Sequence, residues 1–149
     1  MGFNSGFSGM GISPSDQDKL NNEAKDMLLF GNNAIGTSTS SRYLSPGYEN
    51  SLAQTSVIQL RSSVFGILKN FYIRHNSVGT GINNIIYSLR INNVVSSLII
   101  TMLPTSSDGS NLVNEEIINV GDLIDILVTK SGTIGSSPQD IIATLEVKS

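Results

Sequence analysis

The sequence predicts an all-β fold, an eight-stranded antiparallel jelly-roll sandwich behind a short N-terminal helix. Three observations predict it. Charged residues make up only 14% of the 149 residues, and the polar content comes from Ser, Thr, Asn and Gly, which favours strands and turns over a helical bundle. From residue 56 onward, β-branched and aromatic runs alternate with turn residues at roughly the 8 to 12 residue spacing of sandwiches and barrels. The third observation is the stretch from Asn83 to Leu103, which reads as a hairpin about Asn92-Asn93. Asn tolerates the positive φ that a two-residue turn requires. That turn pairs Ile91 with Val94, Leu89 with Ser96, Tyr87 with Leu98 and Ile85 with Ile100, leaving one side almost wholly apolar.

Composition excludes several functions. The net charge is only −3 and cysteine is absent, so there is no disulfide framework, thiolate metal site or thiol nucleophile. Lys and Arg are scattered singly with no interleaved aromatics, which argues against nucleic acid as a partner. No run approaches the roughly 20 apolar residues of a membrane-spanning helix, and no signal-peptide pattern opens the chain. Membrane insertion is not expected.

Three regions are expected along the chain. Residues 1–12 form a Gly-rich leader with Gly2, Gly6, Gly9 and Gly11, in which Gly6 and Gly9 keep the three-residue spacing of a collagen-like repeat for one step; it reads as a flexible leader or as the end of a collagen-like stalk. Residues 13–28 begin with Ser13 as N-cap, Pro14 in the first helical position and Asp16 in the first turn, which predicts a helix. Its apolar residues Leu20, Ala24, Met27 and Leu28 share one stripe that must pack on the domain or on neighbouring copies. Residues 29–149 form the head domain. Within it Ala34 to Ser56 is polar and reads as a long irregular loop. Strands are predicted over 27–30, 56–60, 66–75, 83–91, 94–103, 113–119, 122–130 and 140–147, the strand count of a jelly roll.

The strand faces imply a partner. Ile141, Ala143, Leu145 and Val147 alternate against Ile142, Thr144 and Glu146, a sheet with one wet side. In the hairpin, Ile86 and Ile99 face each other on the side opposite the core, and Leu123 and Leu127 oppose Ile124, Ile126 and Val128. Apolar residues on both faces predict a cover, and another copy of the chain is the natural one. Leu20, Met27, Ile86, Ile99, Leu123 and Leu127 are the candidate interface residues.

The chain offers little for catalysis. His75 is the only histidine; it shares parity with Phe71 and Ile73 and reads as a hydrogen-bonded residue toward the core or at a strand end. No Gly-x-Ser-x-Gly elbow accompanies it. Asp122 and Asp125 point to opposite faces of an extended strand, and Glu115 and Glu116 diverge in the same way. Asp108-Gly109-Ser110-Asn111 has oxygen ligands but not the acidic spacing of a calcium loop, and reads as an ordinary turn. Neither a metal nor a cofactor is expected.

At Gly31-Asn32, Arg42-Tyr43-Leu44-Ser45-Pro46-Gly47-Tyr48, Leu89-Arg90-Ile91-Asn92 and Gly121-Asp122-Leu123-Ile124-Asp125-Ile126, the chain resembles the C-terminal heads of collagen-like or Gly-rich surface fibres. Such fibres occur in phages, large DNA viruses and some bacteria. Those heads resemble trimeric jelly rolls of the C1q and tumour-necrosis-factor type. The resemblance implies a homotrimer on a virion or particle surface, and a non-enzymatic head that attaches to a cell-surface glycan or receptor.

Loops 37–51, 76–81, 106–111 and 131–139 are the expected recognition surface. Arg42 and Tyr43 are its first candidates, followed by Tyr48, Asn76, Asp108 and Asn111, because a stacking Tyr and a forked Arg suit sugar or carboxylate recognition. The alternative for Arg42 and Tyr43 is structural, an Arg pinning the loop and a packed Tyr. Two other functions remain open: a purely architectural capsid, cement, spore-coat or stalk component, and a carbohydrate-active enzyme whose paired carboxylates come from separate strands.

Overall fold

The computed structural model describes residues 25–149. Eleven strands follow in order: β1 Lys25–Ala34, β2 Arg42–Tyr43, β3 Ser45–Leu52, β4 Leu60–Arg61, β5 Gly66–Ser77, β6 Ile85–Ile91, β7 Val94–Met102, β8 Asp108–Asn111, β9 Glu116–Ile118, β10 Leu123–Lys130 and β11 Gln139–Lys148. One sheet runs β3-β1-β11-β5-β8, with β9 also on β5; the other runs β2-β10-β6-β7, with β4 also on β10. The chain changes sheet after every strand except β6 and β8, passing back and forth across the sandwich as in a jelly roll. All pairings are antiparallel except β1 with β3.

The two inner faces meet in one core. Phe30, Leu68, Phe71, Ile73, Ile118, Ile141, Ala143, Leu145 and Val147 come from the first sheet, and Ile85, Tyr87, Leu89, Leu98, Ile100, Ile124, Ile126 and Val128 from the second. The period-two alternation expected of the last strand holds throughout β11. In β5 an irregularity at Asn70, whose φ is +50°, separates Leu68 from Phe71 so that both point inward.

Several expectations need correction. The helix expected over 13–28 lies mostly outside the described residues, and its last turn is strand instead: Lys25 to Leu28 belong to β1. Two ladders, to β11 and to β3, hold β1 extended, so sheet pairing overrides the helical stripe that Met27 and Leu28 suggested. The irregular loop expected from Ala34 to Ser56 contains β2 and β3. β3 is an edge strand in parallel with β1; its backbone makes the ladder, so a composition poor in β-branched residues does not prevent it. The turn expected at Asp108 to Asn111 is β8, and the strands expected at 56–60 and 113–119 shrink to β4 and β9. The head therefore has eleven strands rather than eight, the additions being mostly short edge pieces.

The hairpin is present with a modified register. Asn92 and Asn93 take φ values of +52° and +68°, the left-handed pair of a type I′ turn. Ile91 pairs with Val94 as expected, but between Ser88 and Arg90 the register shifts. Beyond that point Tyr87 pairs with Ile100 and Ile85 with Met102. The shift is by two, so the inward face is preserved. Ile86 now faces Thr101, and Ile99 faces Ser88, so the expected Ile86–Ile99 pair does not form.

Candidate functional site

The two ends of the sandwich differ in kind. At one end β1 begins beside the end of β11, with Lys25 opposite Lys148. At the other end lie the segments after β1, β5, β7 and β10. These far-end segments are tied to one another through backbone. Ile134 N donates to Thr37 O, Gly135 N to Thr80 O, Gly79 N to Pro104 O and His75 N to Ser107 O. Ile35 N donates to Ser137 Oγ, and Asn83 Nδ2 to Thr133 O. Close approach requires glycine here: a Cβ on Gly79 would stand 2.3 Å from Ser136 O. The result is a continuous polar loop surface on a rigid base.

The candidate ligand residues do not gather in one place. Arg42 points inward, where its Nη1 donates to Ala53 O at 3.0 Å and its guanidinium packs on Gly36. Tyr43 points outward, with the Arg90 guanidinium 5.0 Å from its ring centroid. Tyr48 lies on the outer face of the first sheet and donates to Asp140 Oδ1, which holds its phenol above the usual range. Asn76 is exposed near the end of β5 at the loop end. Asp108 is exposed and accepts from Ser107 Oγ. Asn111 is occupied structurally, donating to Ser97 O and Ile99 O and accepting from the amides of Val113 and Asn114. Among the described residues no group of three or more His, Asp or Glu is placed to hold a metal ion.

His75 is buried in the core, the first of the two placements its parity allowed. Its Nδ1 lies 2.8 Å from Ser106 O and its Nε2 2.7 Å from Tyr87 Oη. A carbonyl only accepts, so Nδ1 carries the proton and Nε2 accepts from the tyrosine. Both ring nitrogens are satisfied in the neutral form, and burial pushes the imidazole pKa below its ordinary value. The sign follows: the unfolded chain takes up a proton near pH 6.5, whereas the folded chain resists it. Stability conferred by neutral His75 is thus complete above pH 6.5 and falls as pH drops toward the lower folded pKa, by at most about 1.4 kcal/mol per pH unit. Denaturant midpoints at pH 7.5, 6.0 and 5.0 check this; a flat profile over that interval contradicts it. With one histidine in the chain, the readout is specific.

On the outer face of the second sheet sit Ile86, Ile99, Leu123 and Leu127. Part of this face is covered by the chain itself. Asp125 is 0% exposed. It accepts from Arg90 Nε and Nη2 at 2.7 and 2.9 Å and from Gln59 Nε2 at 3.0 Å. Tyr43 and Gln59 thus cap the Arg90–Asp125 pair.

The outer face of the first sheet is more open. Leu29 pairs with Thr144, and Thr144 with Tyr72, forming a row across three strands. Met27 is 69% exposed, Tyr72 48% and Leu29 41%; Ile142 is half-buried, and Ile117 is exposed further along the face, opposite Ile67 on β5. Met27 was expected at an interface, whereas Leu29, Tyr72 and Ile117 were not; Leu20 lies outside the described residues.

No protein-family model matches the chain, and no curated protein matches it. Among solved structures, a crystal structure of murine APRIL at pH 8.0 is similar at 11% sequence identity and a TM-score of 0.40, covering 81% of this chain and 98% of that one. A second murine APRIL structure, at pH 8.5, is similar at 11% identity and a TM-score of 0.37, over 80% and 98% of the two chains.

Proposed function

We propose that this chain is the head of a homotrimeric surface fibre that attaches to a cell-surface target, a glycan in the first instance. The observation that carries this reading is the opposition of the two ends. The chain enters at Lys25 beside Lys148, so a preceding stalk joins at the end away from the cross-braced loops. On this reading those loops are the surface displayed toward the target.

The exposed row Leu29, Tyr72 and their neighbours supplies an apolar surface for contact between copies. Three copies bring three loop surfaces to one pole, where avidity converts weak sugar contacts into useful binding. The test is binding of the 149-residue protein to a panel of immobilised glycans and to intact cells. Saturable binding that is lost when Ser38 to Ser40 are replaced by Lys supports attachment. Absence of any glycan or cell binding, together with tight association to particles or stalks lacking this protein, overturns it in favour of a purely architectural head.

A further inference from the structure

Beneath the loop end lies a pair of cations with no counter-charge among the described residues. Arg42 pairs with Val128 across the β2–β10 ladder, and Lys130 is two residues further along β10 on the same inward face. Lys130 is only 7% exposed. Its Nζ and the Nε of Arg42 are both buried without a hydrogen-bond partner among the described residues. Burial, and after it the repulsion of the nearby Arg42 charge, pushes the Lys130 ammonium pKa down. The segments around them, residues 34–44, 51–60 and 130–139, contain no Asp or Glu. Described ion pairs lie elsewhere, at Arg90–Asp125 and Lys69–Glu115. Buried charge without a partner is costly, and orphaned donors of this kind point to a missing acceptor.

We infer that Lys130 and Arg42 form the floor of a binding site for a single oxyanion, such as sulfate, phosphate or the carboxylate of an acidic sugar. Arg42 Nη1 is held by Ala53 O, which leaves Nε to donate from a fixed guanidinium plane; Lys130 supplies the ammonium beside it. The polar run Thr37 to Ser41, whose five residues are all Ser or Thr and are exposed, leads directly into Arg42. Its start is anchored where Thr37 O accepts from Ile134 N. The inference does not depend on attachment or trimerisation, since the site is built within one chain.

The test is calorimetric titration of sulfate, phosphate and N-acetylneuraminic acid into the full chain, with chloride as the matched control. Thermal unfolding is followed in the same salts. One saturable site per chain is expected, weakened at least roughly tenfold in Lys130→Met, which removes one charge-assisted hydrogen bond and keeps the stem. Sulfate raises the melting midpoint of most proteins by exclusion from their surface, so the readout is the extra rise in the wild type over the variant. Arg42→Gln serves as the second variant should Lys130→Met fold poorly. Binding of all three anions describes a general oxyanion site, and binding of the sugar acid alone describes a glycan subsite. No saturable binding in the wild type, or binding in both variants as tight as in the wild type, overturns the inference.

Discussion

Asp125→Ala is expected to lower the unfolding free energy by about 3–5 kcal/mol, the cost of leaving a buried charge without its partner. Asp125 has no solvent exposure and accepts both prongs of the Arg90 guanidinium as well as Gln59. Removing the carboxylate strands Arg90, whose side chain is only 13% exposed, between the sheet and the Tyr43 ring. The hydrogen bond to Asp125 is also the first cause holding the Arg90 pKa above its usual value. Asp125→Leu combined with Arg90→Met should recover most of the loss, because replacing both members of a buried pair with apolar groups is often neutral or better. Urea unfolding of the single and double variants decides the matter; a loss under about 1 kcal/mol in Asp125→Ala would mean the pair behaves as a surface salt bridge.

Tyr72→Asp is expected to convert the proposed trimer to monomer without unfolding the chain. Tyr72 projects from β5 on the outer face of the first sheet, in the row with Thr144 and Leu29. Nothing of the described chain buries it fully, so the substitution costs the isolated fold little. An interface centred on this row would bury three carboxylates without partners, one from each copy, and each such burial costs several kcal/mol. Leu29→Asp should act the same way from β1. Ile99→Asp, on the outer face of the second sheet, should leave assembly unchanged. Sedimentation velocity of the three variants separates the two faces.

The fold was legible where local chemistry and tertiary context agree. The Asn92-Asn93 turn was readable because two consecutive positive φ values leave few residue types available. The inward set of β11 was readable because one of its faces is solvated. β1 was misread at Lys25 to Leu28 because a four-residue apolar spacing fits a helix until strand partners from residues 45–52 and 139–148 are known. β3 was missed because a ladder held by backbone leaves no side-chain signature in Ser45 to Leu52.

The candidate site was less legible. Tyr72 and Leu29 become one surface only through β11 between them, a pairing across more than seventy residues of sequence. Arg42 was singled out for its chemistry, but its relation to Lys130 depends on the β2–β10 ladder. The inward parity of Lys130 with Ile124, Ile126 and Val128 was visible in the sequence and was the available signal. His75 was half legible: strand parity left it toward the core or at a strand end, and the structure places it in the core with its partners Tyr87 and Ser106.

In the proposed trimeric head, the copies meet through the outer face of the β3-β1-β11-β5-β8 sheet. The deciding measurement is solution mass by light scattering on the 149-residue protein beside its Tyr72→Asp variant. A mass of three chains is expected for the wild type and of one for the variant, with the same far-ultraviolet circular dichroism. A monomeric wild type, or a trimer untouched by Tyr72→Asp, would contradict this arrangement.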